Sequence, residues 1–169
     1  YDSLDTVLHR GHKPYDVLTF ETIANQPNVL VLDTRRAEVF AKGFIPNSIN
    51  IGLESNFASW VGELITNINQ EILLVTEDNS KVDEAIIRLS RVGYDHTIGY
   101  LNGGFESWEK AEKEINIVHR ITAEQLEEHY KEDNLILIDV RKASEFQSEH
   151  LVDSVNVPLN ELQIWQSGA

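Results

Sequence analysis

The chain has 169 residues, a formal net charge of −14, and neither cysteine nor methionine. The negative charge disfavours nucleic acid and anionic membrane surfaces as partners, and the lack of cysteine excludes disulfides, thiolate catalysis and the common zinc modules within these residues. No apolar run approaches the ~18 residues of a membrane span and the first residues do not form a signal peptide, so we expect a cytoplasmic protein. We expect no metal site and no cofactor.

The first 17 residues predict a leader that consists of a short helix and a linker. Aliphatic residues lie on one side of a predicted helix over residues 1–10, Gly11 follows it at the position that favours glycine, and Pro14 stops any continuation. Thr19 begins the sequence TFET, which is typical of a helix start, and Thr122 begins the similar sequence TAEQ. A helix is therefore predicted after each of these two threonines.

The most informative feature is an internal repeat. The segment from Val29 to Asn50 matches the segment from Leu135 to Asn156 without a gap, at a constant offset of 106 residues. Such a long period indicates the duplication of a domain-sized unit. Extended by five residues, the alignment has 27 positions, of which seven are identical: Asp33/Asp139, Arg35/Arg141, Ala37/Ala143, Phe40/Phe146, Ser48/Ser154, Asn50/Asn156 and Leu53/Leu159.

Each copy begins with a short aliphatic run that ends in aspartate. The sequences VLVLD and LILID predict strands over residues 29–33 and 135–139 that are buried on both faces of a parallel sheet. The arginine two residues after each aspartate can pair with it. Ala37 and Phe40 have the spacing of a short helix that packs on the sheet. A second strand is predicted next, at Ile49 and Ile51 in the first copy and at residues 154–157 in the second.

After the first copy, helices and strands continue to alternate. Alternation of this kind predicts an α/β domain of three layers with a central parallel sheet, over residues 18–115, followed by an incomplete second copy over residues 116–169. Trp60, Phe105 and Trp108 are expected in the core. The predicted elements are a helix over 57–68, a strand over 72–75, a helix over 81–92 with a buried stripe of Val82, Ala85, Ile86 and Leu89, a strand over 97–101 and a helix over 105–112.

The candidate site lies at the carboxyl ends of the strands, where open α/β sheets bind ligands. The loop after the third strand leads directly into a helix N-terminus, which favours either an inert capping loop with Ser80 as N-cap or a small-anion site. The two Asp–Arg pairs are interpreted as structural ion pairs, with a substrate contact as the alternative, and the two glycines as a turn. The residues are Thr76, Glu77, Asp78, Asn79, Ser80 and Lys81 in the loop, the pairs Asp33/Arg35 and Asp139/Arg141, and the turn Gly103 and Gly104.

Taken together, these motifs resemble the rhodanese (sulfurtransferase) domain. The resemblance is carried by the strand with its D-x-R motif, by GFIPNSINI, by the strand–loop–helix and by YLNGGFESW, in this order, from about residue 18 to 115 and again from 121 onwards. In this family a loop of the type C-x-x-G-x-R bears a cysteine that holds a persulfide. The resemblance places Thr76 at the cysteine, Asn79 at the glycine and Lys81 at the arginine.

The resemblance implies a non-catalytic rhodanese-like module, with a structural or docking role in a larger enzyme that handles persulfide or thiosulfate. With the leader GHKPYDVLTF, the tandem is similar to proteins that carry a metallo-β-lactamase-fold persulfide dioxygenase before their rhodanese domains, so we expect such a domain as partner in the same polypeptide. A homo-oligomer is a further expectation. The alternative is an active sulfurtransferase whose cysteine belongs to the second domain, at about position 182, if the chain continues there as the first copy does.

Overall fold

A computed structural model describes residues 2–130 and 134–161 of the chain. The chain divides into two compact units, Tyr1–His119 and Arg120–Ala169. The first unit contains a five-stranded sheet of order β1-β5-β4-β2-β3 in which all paired strands are parallel. Its strands are β1 Pro14–Tyr15, β2 Val29–Asp33, β3 Ile49–Asn50, β4 Glu71–Val75 and β5 Thr97–Leu101.

Helices cover both faces of this sheet, which confirms the predicted three-layer α/β architecture. Alternate residues of β2 and β4 point to opposite faces, so Leu32 and Leu74 belong to one core cluster while Val31 and Leu73 belong to another. The sequence therefore reads as a continuous aliphatic run because both faces are buried. The helices are α1 Leu4–Gly11, α2 Val17–Ala24, α3 Ala37–Lys42, α4 Phe57–Leu64, α5 Val82–Arg91 and α6 Phe105–Lys110.

The leader is part of the first unit. Val7 on α1 is fully buried in the first core cluster, and β1 pairs with β5 at the edge of the sheet. Gly11 is the last residue of α1, whereas the sequence predicted that it follows the helix. A Cβ atom there would lie 2.8 Å from Ile86 Cδ1, so close packing of α1 explains the glycine.

Several local predictions require correction. Helix α2 begins before Thr19: Asp16 is its N-cap, and the Thr19 N–H donates to Asp16 Oδ1 over 2.7 Å. Helix α4 ends at Leu64, so the prediction that it extends to residue 68 is wrong. It buries Phe57 and Val61, while Trp60 on its flank is 36% exposed and is not the core residue that was predicted.

The remaining helices differ from prediction in smaller ways. Ala37 is exposed, and α3 buries Ala41 instead, because only one side of this short helix faces the sheet. Helix α6 ends at Lys110, two residues before the predicted end. Helix α5 buries the predicted stripe of Val82, Ala85, Ile86 and Leu89, and Phe105 and Trp108 are core residues as predicted.

The second unit repeats the beginning of the first on a smaller scale. Its helix α7 is capped by Thr122, as predicted, through a capping box with Gln125. Its strands are shorter than the predicted 135–139 and 154–157. The strand predicted over residues 135–139 is not buried on both faces as expected, since Ile138 is 46% exposed. The elements are α7 Ala123–His129, β6 Ile138–Asp139, α8 Ala143–Ser148 and β7 Val155–Asn156.

None of the helices within residues 2–130 and 134–161 combines the length and the apolar character that crossing a membrane requires.

Candidate functional site

The site is built where the parallel strands of the first unit end. The Thr34 N–H, just after β2, donates to the Val75 carbonyl at the end of β4 over 2.9 Å. The turn after β5 reaches the same edge, because a Cβ atom on Gly104 would lie 2.7 Å from the Thr76 carbonyl oxygen. The structure thus brings together the three strand-end segments that the sequence singled out.

Asp33 and Arg35 form a buried ion pair at the end of β2. Arg35 Nη2 lies 2.7 Å from Asp33 Oδ2, Arg35 Nε donates to the same carboxylate, and the Asp33 and Arg35 side chains are 0% and 5% exposed. Arg35 also donates to the Gly43 carbonyl over 2.9 Å, and its guanidinium lies 4.1 Å from the centre of the Phe105 ring. Arg35 therefore links the end of β2 to the Gly43 carbonyl and to the Phe105 ring, contacts that favour the structural interpretation of this ion pair over a substrate contact.

The ionisation of Asp33 reflects its burial. Burial raises the pKa of the Asp33 carboxyl, although the hydrogen bonds and charge of Arg35 act in the opposite direction. The cost of removing the carboxylate from water thus outweighs its attraction to Arg35.

Asn50 is a further residue of this network, and its role was not predicted from the sequence. Its Nδ2 donates to the Asp33 carbonyl over 3.0 Å and to the Arg35 carbonyl over 2.8 Å, so it fixes the main chain on both sides of Thr34. Asn156 makes the same two bonds in the second unit, to Asp139 and Arg141. The identity of Asn50 and Asn156 in the repeat was the signal that could have revealed this role.

Thr76, which the resemblance places at the cysteine, has its hydroxyl bound within the chain. Its side chain is buried, and its hydroxyl donates to the Asp78 carbonyl over 2.8 Å. A threonine hydroxyl needs a neighbouring base to become an oxygen nucleophile, and here its proton is bound to a main-chain carbonyl. The Thr76 side chain therefore bonds within its own loop.

Asp78, and not Ser80, caps the turn that follows. Asp78 Oδ1 accepts from the Ser80 N–H over 2.8 Å and also binds the Ser80 hydroxyl, and these bonds lower the pKa of the Asp78 carboxyl. The prediction of Ser80 as N-cap is therefore wrong. A short 3-10 turn, Asn79–Lys81, separates Asp78 from α5. The Asp78 carboxylate therefore binds the Ser80 N–H, a main-chain group that was expected to be available to a small anion.

Asn79 joins the loop after β4 to the turn after β5. Asn79 Nδ2 donates to Asn102 Oδ1 over 2.9 Å, and Asn79 Oδ1 accepts from the Gly103 N–H over 3.0 Å. Gly103 and Gly104 have φ values of 79° and 67°, so the predicted glycine turn is present and uses the left-handed region that glycine adopts at no steric cost.

The cavity beside this loop is small and carries more acidic than basic side chains. Its volume is ≈ 40 Å³, and two of its lining residues form an ion pair, with Arg36 Nε 3.2 Å from Glu77 Oε1. Lys81 Nζ lies 3.1 Å from Glu84 Oε2. The lining residues are Thr34, Arg36, Leu53, Glu54, Glu77, Lys81 and Glu84.

Both positive charges of this cavity are thus neutralised by carboxylates, and Glu54 adds a further negative charge. The cavity is unsuited to an anionic sulfur donor. Within the described residues, no group of three or more His, Cys, Asp or Glu is arranged to hold a metal ion.

In the second unit, Asp139 and Arg141 form the same pair in a more exposed setting. Arg141 Nη2 lies 2.6 Å from Asp139 Oδ2 and donates to the Glu149 carbonyl over 2.8 Å, but the Arg141 side chain is 47% exposed. The Arg141 hydrogen bond lowers the pKa of Asp139.

Comparisons with known proteins agree with this architecture. The family model described as the rhodanese-like domain matches residues 17–111 and 122–168. An uncharacterised protein of Buchnera aphidicola is 33% identical over 81 residues, which are 48% of this chain and 56% of that protein. The chain therefore spans little more than half the length of this relative.

Solved structures show the same fold at low sequence identity. A thiosulfate sulfurtransferase from Pseudomonas aeruginosa is 16% identical with a TM-score of 0.54 over 97% of this chain and 38% of that one. A 3-mercaptopyruvate sulfotransferase from Escherichia coli is 16% identical with a TM-score of 0.52 over 89% of this chain and 76% of that one. Because the family model covers most of the sequence and the parallel sheet matches, the chain belongs to the rhodanese-like domain family.

Proposed function

We propose that the first unit is a non-catalytic rhodanese-like module with a structural or docking role in a larger protein that handles persulfide or thiosulfate. The observation that carries this proposal is the state of Thr76, a buried hydroxyl bound to the Asp78 carbonyl at the position of the family's persulfide-bearing cysteine. An alcohol of this kind does not accept a sulfane sulfur at neutral pH, whereas a thiolate does.

The surroundings of Thr76 support the same proposal. Asp78 accepts a hydrogen bond from the Ser80 N–H, Asn79 accepts one from the Gly103 N–H, and Glu77 pairs with Arg36. These N–H groups and the Arg36 guanidinium could otherwise bind an anionic sulfur compound, but here they are bound within the chain. An incoming thiosulfate would also meet the carboxylates around the ≈ 40 Å³ cavity.

The proposed larger protein follows from the resemblance. Its partner domain is a metallo-β-lactamase-fold persulfide dioxygenase or hydrolase located before this chain in the same polypeptide. In that arrangement the metal chemistry belongs to the partner domain. The rhodanese-like module positions the partner domain or docks the partner domain to other proteins.

Thiocyanate formation from thiosulfate and cyanide tests the first proposal. We expect the chain to give no thiocyanate above a control without enzyme. Thr76→Cys should restore little activity, because Glu77, Asp78, Asn79 and Lys81 still shape the loop, and Thr76→Ser serves as the matched control without a thiol. A clear rate in the unmodified chain would overturn the proposal, and a high rate in Thr76→Cys would show that the acidic loop is no obstacle.

A second candidate function is sulfurtransferase activity in a complete second domain. The repeated Asp139–Arg141 pair, with Asn156 in the place of Asn50, supports it, because the second unit carries the same strand-end framework as the first. Assaying the polypeptide encoded by the full natural reading frame tests this candidate. Transferase activity that disappears on replacing a cysteine near the position equivalent to Thr76 would support it, and the absence of such a cysteine would exclude it.

A further inference from the structure

Asn102 and Gly103 form the one Asn-Gly pair in the sequence. They lie in the turn after β5, and both are exposed. In such a pair the main-chain nitrogen of the second residue can attack the side-chain amide carbon of the first, and glycine has no side chain to hinder the approach. Asparagine is a thermolabile residue for this reason. By its sequence, this turn is therefore the most reactive asparagine position in the chain.

In the folded protein, Asn79 holds the two reacting groups of this pair. Its Nδ2 donates to Asn102 Oδ1 over 2.9 Å, while its Oδ1 accepts from the Gly103 N–H over 3.0 Å. The two groups thus bind opposite ends of one side-chain amide. The Gly103 N–H is directed at Asn79 and not at the Asn102 amide carbon, so attack requires both hydrogen bonds to open.

A third contact restrains the same turn. The Ser107 hydroxyl donates to the Asn102 carbonyl over 2.7 Å, which fixes the main chain immediately before Gly103. Asn102 and Gly103 are thus exposed residues, but these bonds restrict the rotation that would bring the reacting atoms together.

We propose that Asn102–Gly103 is a deamidation site whose rate is set by the side chain of Asn79. The Gly103 nitrogen loses its proton and forms a bond to the Asn102 side-chain carbon, and the bond to Nδ2 breaks as ammonia leaves. Water then opens the resulting five-membered imide at either carbonyl and gives aspartate or isoaspartate. The net change is the exchange of ammonia for water, and no oxidant or reductant is needed.

The products alter the neighbourhood of Thr76. Aspartate at position 102 adds a carboxylate beside a loop that already contains Glu77 and Asp78. Isoaspartate lengthens the main chain by one carbon atom in a turn where even a Cβ atom on Gly104 would lie 2.7 Å from the Thr76 carbonyl oxygen. The isoaspartate product therefore displaces this turn from Thr76.

Peptide mapping of aged protein tests the proposal. Trypsin releases residues 92–110, a peptide with Asn102 as its one asparagine, and a synthetic peptide of the same sequence is the unfolded reference. At neutral pH we expect Asn102 in the folded chain to convert at least about tenfold more slowly than in the synthetic peptide, because several hydrogen bonds must open first. Asn79→Ala should raise the rate in the folded chain several-fold, whereas Asn69→Ala, at an exposed asparagine away from the turn, should not change it.

Equal rates in the folded chain and the synthetic peptide would overturn the proposal. So would a wild-type rate in Asn79→Ala that melts as a folded protein. If Asn79→Ala does not fold, Asn79→Asp decides, since it keeps the acceptor for the Gly103 N–H and removes the donor to Asn102. A rate between those of the wild type and the peptide supports the proposal, and a wild-type rate contradicts it.

Discussion

The two copies of the repeated segment make the same hydrogen bonds in different surroundings. Arg35 and Arg141 each bind the aspartate two residues before them and a carbonyl eight residues after them, at distances that agree within about 0.1 Å. The Arg35 side chain is 5% exposed and the Arg141 side chain is 47% exposed. The local sequence therefore determines the strand-end geometry, and the rest of the sheet determines its burial.

The surroundings differ because β2 has two strand neighbours, while β6 pairs with β7 as its one strand neighbour within residues 134–161. Phe20, Val31 and Ile45 are buried against residues of β4, β5 and α6 in the first unit. Their equivalents Leu126, Leu137 and Leu151 line an open cavity of ≈ 370 Å³. Four predictions test this contrast.

Equivalent core positions should respond differently to truncation. Leu32→Ala should lower the free energy of unfolding of the first unit by about 3 kcal/mol, because Leu32 is fully buried between the two strand neighbours of β2. Ile138→Ala, at the equivalent position, should change the free energy of unfolding of the second unit by less than about 0.5 kcal/mol, because Ile138 is 46% exposed. Urea unfolding followed by circular dichroism measures both, and equal losses would contradict the contrast.

Breaking the two ion pairs should also give unequal losses. Asp33→Asn should cost about 2 kcal/mol, since Arg35 is left buried without a counter-charge while asparagine keeps one acceptor oxygen. Asp139→Asn should cost clearly less, because water solvates the exposed Arg141 guanidinium. Melting temperatures of the two variants give the comparison. An unchanged melting temperature in Asp33→Asn would make the buried pair dispensable.

The edge of β6 that has no strand partner among the described residues should promote self-association, because unpaired strand edges with apolar side chains pair with other chains. Ile136, beside this edge, is 80% exposed. We expect the sedimentation-average mass to rise with protein concentration and Ile136→Lys to reduce this rise. Leu18→Lys, at a residue of α2 that is 67% exposed, is the matched control and should have no such effect. A monomer at all concentrations would contradict this expectation.

The smallest expected effect is an opposite pH dependence of the two aspartates. Burial raises the pKa of Asp33, so its contribution to stability is present below the unfolded pKa and is lost as pH rises through the folded value. The Arg141 hydrogen bond lowers the pKa of Asp139, so its contribution is present above the unfolded pKa and is lost as pH falls through the folded value.

Unfolding free energies of the wild type, Asp33→Asn and Asp139→Asn at pH values between about 3 and 6, around the ordinary aspartate pKa, measure these dependences. Differences from the wild type that change with pH in the same direction for both variants would contradict the expectation.

The features predicted well from the sequence have strong local signals. The aliphatic runs of β2 and β4, the periodic stripe of α5 and the Asp33–Arg35 pair depend on residues within about one turn or one strand of each other. Trp60 was placed wrongly because the buried face of α4 follows Phe57, Val61 and Ile65, at every fourth residue, and Trp60 lies beside this line.

Features that depend on distant contacts escaped prediction. Asp16 and Thr19 both suit a helix start, and the local sequence does not decide between them. The hydrogen bond from Asn79 to Asn102 joins two residues that are 23 positions apart in the sequence. Neither loop contains a sequence motif that predicts this contact. The length of a strand depends on its pairing with neighbouring strands, and the local sequence does not show this pairing. The strands of the second unit are short for this reason.

The pairing of β1 with β5 has a consequence for how the first unit folds. The leader strand has no partner until the last strand of the sheet exists, and the Tyr15 hydroxyl binds the Ile98 carbonyl across 83 residues of sequence. Closing a loop of this length is entropically expensive and slows folding. During synthesis, β1 therefore stays unpaired until nearly all of the first unit has left the ribosome. We expect the amide protons of the leader to gain protection from hydrogen exchange last.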